Sequence, residues 1–129
     1  MNKIIVEVSI GELFDKISIL EIKQEKIKDL DKLKFISHEH SILKEQLDNN
    51  VKSDEKISNL FQSLKEINAK LWVIEDDKRQ CEKDKDFGEK FIKLSRDVHF
   101  LNDDRAKIKL KINNYTGSVI KEIKEYTSY

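Results

Sequence analysis

Apolar residues recur at intervals of three and four along most of the chain, which is the spacing of one face of an α-helix. Polar stretches near residues 48–53 and 83–85 divide this pattern into three series. We therefore predict three long helices, at residues 10–47, 54–83 and 87–114. The series consist of Ile10, Leu13, Ile17, Leu20, Ile27 and Leu30, then Ile57, Leu60, Phe61, Leu64, Ile67, Leu71 and Ile74, and finally Phe91, Leu94, Val98, Leu101, Ile108 and Ile112.

The first predicted helix is long for a small domain. At 1.5 Å per residue, a helix over residues 10–48 measures roughly 58 Å. Its apolar pattern is interrupted at Gln24 and is less regular from Leu33 onward. We therefore expect a kink or a short break near residues 31–38.

A stretch rich in β-branched residues precedes the first helix. Lys3-Ile4-Ile5-Val6-Glu7-Val8 partly alternates and predicts one short N-terminal β-strand. A lone strand leaves backbone groups unpaired, so it needs a partner. The tail at residues 118–126 has two interpretations. It pairs with this strand, or it forms a helix with Val119, Ile123 and Tyr126 on one face.

The composition agrees with a helical fold. The chain has 129 residues, no proline and three glycines, which leaves little turn chemistry for an all-β fold. Its length is typical of one domain. The predicted fold is mainly α: an antiparallel bundle of three long helices, the first of them broken or kinked, with a short N-terminal β-strand, in a single domain of residues 1–129.

The charge balance limits the classes of partner. Lys plus Arg and Asp plus Glu both number 25, so the formal net charge is zero although 39% of residues are charged. Nucleic acids and anionic membranes attract proteins with a positive field. The single Cys81 cannot form an internal disulfide, and no apolar run approaches the roughly 18 residues of a membrane helix. We expect a soluble, cytoplasmic protein that binds neither nucleic acid nor membrane.

Acidic residues near the start of the first helix are candidates for metal binding. Glu12 and Asp15 are three apart and share a helix face. Paired carboxylates of this kind bind Mg²⁺ in helical nucleotide pyrophosphohydrolases, which need a second such pair. Here only Glu75 and Asp76 remain, and adjacent residues point apart. The alternative is a helix cap with a surface pair between Glu12 and Lys16, so no metal site is predicted.

The second helix carries an unusual polar row. Asn68, Trp72, Glu75 and Arg79 lie on one face beside the core series. An amide, an indole, a carboxylate and a guanidinium together resemble the wall of a ligand site. The alternative is that Trp72 covers the end of the core while Glu75 and Arg79 form an i,i+4 ion pair.

The third helix places a guanidinium in its apolar seam. Arg105 is costly there unless it is paired or faces a ligand. With Lys109, four residues on, it suits a phosphate group, with Asn102 nearby. The alternative is a bridge from Arg105 to Asp15, Glu75 or Asp76. Neither His99 nor Cys81 has the neighbours that catalysis requires.

Three motifs carry these polar residues: Ser9-x-Gly11-Glu12-Leu13-x-Asp15-Lys16-x-x-Ile19-Leu20-x-Ile22-Lys23, Leu71-Trp72-x-Ile74-Glu75-Asp76-x-x-Arg79, and Phe91-Ile92-x-Leu94-x-Arg96-x-Val98-x-x-x-Asn102-Asp103-x-Arg105. With Ile108-Lys109-x-x-Ile112-Asn113 and Gly117-Ser118, they resemble an uncharacterised family of short bacterial and phage-borne proteins that carries only a label of unknown function. The resemblance covers nearly the whole chain and implies no activity. Its polar motif positions include the candidate site residues selected above.

Three classes of function remain. The first, which we favour, is a small-molecule-binding protein with an interhelical polar pocket for an anionic, nucleotide-like ligand. The second is a structural or protein-interaction bundle, and the third is a Mg²⁺-dependent nucleotide hydrolase. No catalytic residue, metal ligand or cofactor is assigned, and the long apolar series in a thin bundle predict a homo-oligomer. The expected site brings Glu12, Asp15 and Lys16 to face Trp72, Glu75 and Arg79, with Asn102, Arg105 and Lys109 closing it.

Overall fold

Four helices make up the computed structural model, which describes residues 2–129. They are α1 (Ile10–Lys26), α2 (Leu30–Asn50), α3 (Glu55–Asp84) and α4 (Glu89–Thr116). These residues contain no β-strand. The prediction of three helices with an N-terminal strand is therefore wrong, although the molecule is a helical bundle.

The first predicted helix is two helices, and the break lies at residues 27–29 rather than at 31–38. Ile27 ends α1 with an extended backbone, while its N–H still donates to the Lys23 carbonyl. Asp29 then begins α2, because its carboxylate accepts from the N–H groups of Asp31 and Lys32 at 2.9 and 3.2 Å. The apolar spacing continues across this break, so periodicity alone does not reveal it.

The predicted N-terminal strand is absent because its expected partner is used elsewhere. Ile4 and Ile5 are 87% and 83% exposed, and no ladder of hydrogen bonds joins them to the tail. The tail from residue 118 is neither strand nor helix. Its end contacts α4 instead, where the Tyr129 ring meets the Phe100 ring edge-on at 5.3 Å.

The helices pack around α1, which contacts each of the other three. Helices α3 and α4 are antiparallel: Lys78 lies over the Phe91 ring near one end of the pair, and Lys56 over the Tyr115 ring near the other. The buried core comprises Phe14, Ile17, Leu47, Ile57, Leu64 and Ile112.

Hydroxyl or carboxylate side chains cap the first turns of α1, α2 and α3. Ser9 caps α1 by accepting from the Glu12 N–H at 3.0 Å. Asp54 caps α3 by accepting from the Ile57 N–H at 2.8 Å. None of the helices within residues 2–129 combines the length and apolar character needed to cross a bilayer.

Candidate functional site

The first turn of α1 is fastened to α4 by side chains. The Gly11 N–H donates to Asn113 Oδ1 at 2.6 Å, and the Ile10 N–H donates to Ser118 Oγ at 3.1 Å. Ser9 accepts from the next N–H. A helix start normally leaves such donors free to bind anions. Here the chain satisfies them itself, so this turn joins two helices instead.

Gly11 allows the two helices to approach this closely. A Cβ atom at this position would lie 2.5 Å from the Lys109 carbonyl oxygen and 2.9 Å from Asn113 Oδ1. Neither distance is compatible with a side chain. The glycine of the first motif thus serves the contact between α1 and α4.

Deeper along α1, Asp15 is the centre of a buried polar network. Its side chain receives two hydrogen bonds from Arg105, with Nε to Oδ1 at 2.9 Å and Nη2 to Oδ2 at 2.5 Å. Asn68 donates to Oδ1 at 2.9 Å and to Ser18 Oγ at 2.8 Å. Asp15 is 1% exposed. This network joins α1, α3 and α4 at one level of the bundle.

The partners of Asp15 keep it ionised. Burial by itself raises the pKa of Asp15, but the hydrogen bonds from Arg105 and Asn68 and the nearby positive charges outweigh burial, so the pKa lies below its ordinary value. The hydrogen bond to Asp15 likewise raises the pKa of Arg105. The pair is therefore a bidentate ion pair, the interhelical bridge that was one interpretation of Arg105.

Lys109 is bound by carboxylates on two sides. Its Nζ lies 2.6 Å from Glu12 Oε2 and 3.0 Å from Glu122 Oε2 of the tail, and 4.0 Å from Asp15 Oδ2. Burial lowers the pKa of Lys109, but these carboxylates outweigh it and the pKa is raised. We call Glu12, Asp15, Arg105, Lys109 and Glu122 the ion cluster. It holds three carboxylates against two cations, so the chain's own acids occupy the cations that a phosphate would need.

A groove between α1 and α3, with Arg105 of α4 at its side, lies next to this cluster. It encloses about 360 Å³, and we call it the Trp72 groove. Apolar side chains and Trp72 form part of its wall, and charged side chains form the rest. The lining residues are Ile19, Ile22, Asn68, Leu71, Trp72, Glu75, Asp76, Arg79 and Arg105.

The charged residues that α3 contributes to the groove have no partner within residues 2–129. The side chains of Glu75, Asp76 and Arg79 make no hydrogen bond or ion pair there, although Glu75 and Arg79 have the i,i+4 spacing of a surface pair. All three are exposed. The groove therefore offers an acceptor pair and a guanidinium to a ligand.

All the predicted site residues except Lys16 fall into two neighbouring groups. Trp72, Glu75 and Arg79 line the groove. Asn102 accepts from Arg105 Nη1 at 3.3 Å and so belongs with the ion cluster. Arg105 joins the two groups, whereas Lys16 is exposed and outside both. The ion cluster holds the rest of the predicted set: Glu12, Asp15 and Lys109.

The expected site omitted several residues that the structure places in the groove or the ion cluster. Asn68 was placed in the polar row with Trp72 but was left out of the expected site, because its bond to Asp15 depends on how α1 crosses α3. Glu122 lies in a segment without regular structure, so no periodic pattern marks it. Ile19 and Ile22 appear only as apolar positions of the first motif, which gives no indication of a ligand site.

Glu12 and Asp15, the first of the two carboxylate pairs considered for Mg²⁺, are engaged in ion pairs. Glu12 bonds to Lys109 and Asp15 to Arg105. Within residues 2–129, no three side chains of the His, Cys, Asp and Glu types are grouped as a metal site would require.

Comparison with known proteins gives one match. A family model described as a family of unknown function, DUF6165, matches residues 4–129. No curated protein and no solved structure matches the chain. The match confirms the predicted resemblance to an uncharacterised family.

Proposed function

The chain belongs to the DUF6165 family, and we propose that it binds a small anionic, nucleotide-like molecule in the Trp72 groove. The observation that carries this proposal is the unpaired state of Glu75, Asp76 and Arg79 beside the indole. The other motif residues near them have partners that explain their presence: Asp15 pairs with Arg105, and Asn113 caps α1. A bound ligand would give Glu75, Asp76 and Arg79 the partners that they lack in the chain itself.

The chemistry of the groove suits a ligand with a planar part and a charged part. The indole of Trp72, with Ile22 and Leu71 beside it, is a surface for a base or another flat apolar group. A volume of about 360 Å³ is within the usual range for ligand pockets. The carboxylates of Glu75 and Asp76 accept hydrogen bonds from hydroxyl or amino groups.

Two guanidinium groups are available for the anion. Arg79 has no partner within residues 2–129, so its charge is free for a phosphate. Arg105 is held by Asp15 and Asn102, but its guanidinium retains N–H groups that can donate into the groove. In this proposal Arg79 is the principal anion contact, and the ion cluster fixes the position of Arg105. Lys109, Glu12 and Asp15 act through Arg105 and do not touch the ligand.

The test uses Trp72, the only tryptophan, as its reporter. Mono-, di- and cyclic nucleotides and sugar phosphates are titrated while tryptophan emission and melting temperature are followed together. A ligand at 100 times its Kd adds about 2.7 kcal/mol of stability, which raises the melting temperature measurably. A panel that changes neither signal at millimolar concentration contradicts the proposal.

A matched pair of arginine variants locates the binding. Arg79→Gln removes the free guanidinium of the groove, and we expect it to weaken binding at least tenfold. Arg96→Gln is the control, because Arg96 is exposed on α4 and is outside the groove. Equal loss in both variants indicates general charge attraction instead of the groove.

A protein-interaction bundle is the second candidate, and exposed apolar side chains favour it. Val73 on α3 and Phe100 on α4 are 49% and 38% exposed and together line another groove. Such side chains are common in protein contacts when they are grouped. The fluorescence test separates the candidates, since a bundle without a ligand gives no response to the panel.

A further inference from the structure

The segment before α1, residues 3–8, presents apolar side chains to solvent in the single chain. Ile4 is 87% exposed, Ile5 83% and Val6 69%. Its backbone groups make no hydrogen bond with any other part of residues 2–129. Backbone donors and acceptors beside exposed β-branched side chains are the features that promote pairing with another chain.

The segment is complementary to itself when two copies run antiparallel. Lys3 and Glu7 stand two positions on either side of Ile5. If two copies pair with Ile5 opposite Ile5, Lys3 of each copy lies opposite Glu7 of the other, and Ile4 lies opposite Val6. Opposite charges and β-branched side chains in facing positions stabilise such pairs. The contact is then symmetric about a two-fold axis.

The charges of Lys3 and Glu7 also disfavour other orientations and registers of the pairing. Parallel pairing in register places Lys3 opposite Lys3 and Glu7 opposite Glu7, which is repulsive. Antiparallel pairing centred on either charged residue also places like charges together. Antiparallel pairing displaced by one residue either way from the centre at Ile5 leaves both charges opposite uncharged side chains. The arrangement centred on Ile5 is therefore the register that the sequence favours.

We propose that residues 3–8 are an interaction surface for a second copy of this chain, formed by antiparallel backbone pairing centred on Ile5. The single chain stays a four-helix bundle, and the pairing exists only between copies. Two paired segments form a contact of marginal stability by themselves. The association is therefore weak and depends on concentration. It uses no residue of the Trp72 groove, so its failure leaves the proposed function untouched.

Charge reversal tests the register. In Lys3→Glu both facing positions become acidic, and in Glu7→Lys both become basic, so each variant alone is expected to be monomeric. A mixture of the two restores opposite charges and is expected to associate as the unaltered chain does. Sedimentation over a range of concentrations measures this. Lys28→Glu and Glu45→Lys are matched controls, because both positions are exposed and lie outside the segment.

Two results overturn the proposal. One is an unaltered chain that stays monomeric at every concentration. The other is a mixture of Lys3→Glu and Glu7→Lys that is no heavier than either variant alone. Because residues 3–8 make no bond to the helical body, these variants are expected to fold, and circular dichroism checks this.

Cysteine cross-linking tests the two-fold axis. Facing residues in an antiparallel pair have Cα atoms about 4.5–5.5 Å apart, within the range that a disulfide spans. Ile5→Cys is therefore expected to give a disulfide-linked dimer under mild oxidation that reductant reverses. Val119→Cys, at a position 97% exposed, is the control and is expected to stay largely unlinked. The native Cys81 is buried. Equal cross-linking at positions 5 and 119 reflects random collision and contradicts the pairing.

Discussion

Asp15 carries its charge in a site that excludes water. The cost of burying a carboxylate is offset by two bonds from Arg105 and one from Asn68. The sequence indicated that Arg105 in an apolar seam needs a partner, and it named three carboxylates. The sequence could not choose Asp15 over Glu75 or Asp76. Spacing shows which face of its helix a residue lies on, but not its position along the axis relative to a neighbouring helix.

Arg105→Leu is expected to destabilise the fold by about 3–5 kcal/mol, because it leaves the Asp15 carboxylate buried without its ion partner. Chemical denaturation measures the loss. Replacing both Asp15 and Arg105 with Leu removes the unpaired charge and is expected to cost less than the sum of the single changes. An Arg105→Leu variant with unchanged stability contradicts this prediction and shows that the ion pair between Asp15 and Arg105 contributes little.

Acid is expected to weaken the fold through Asp15. The pKa of Asp15 is lowered in the folded chain, so above the ordinary aspartate pKa of about 4 its contribution is fully present. It declines as the pH falls from there toward the folded pKa. Arg105→Leu removes the largest influence that lowers the pKa of Asp15, so the variant loses less stability in acid and the stability difference between the two proteins narrows. Melting temperatures from pH 7 to 3 test this, and a constant difference contradicts it.

At the scale of the helices, two sequence signals disagree at the break between α1 and α2. The apolar periodicity predicts one continuous helix, whereas the cap at Asp29 marks the start of a second one. The bounds of α3 and α4 were predicted within two residues, since polar stretches separate them. The strand prediction failed because a strand is completed by a partner, and local sequence does not specify one.

Gly11→Ala is expected to separate α1 from α4, because the added Cβ meets the Lys109 carbonyl at 2.5 Å. Overpacking of this kind costs about 1–3 kcal/mol. Gly88→Ala is the matched control, since its Cβ would come no closer than 3.5 Å to Asp86 Oδ1. Thermal unfolding compares the two, and similar melting temperatures contradict the tight contact at Gly11.

At the scale of the whole molecule, a helical bundle followed from periodicity and composition, but the assembly of the site did not. The groove residues Trp72, Glu75 and Arg79 were found because they share one helix face. The course of the tail depends on Glu122 meeting Lys109 and Tyr129 meeting α4. Those contacts join irregular backbone to a distant helix, and no local pattern encodes them.

The fastening of α1 to α4 also constrains the order in which the chain acquires its structure during synthesis. Gly11 precedes its partner Asn113 by 102 residues, and Asp15 precedes Arg105 by 90 residues. On the ribosome, α1 and α2 emerge early and can pack as a hairpin, but the Asp15 carboxylate then has no cation opposite it. Loops of this length must close before the network forms. The nascent chain therefore reaches its final packing only after α4 has left the exit tunnel, and until then the face of α1 that packs against α4 stays uncovered.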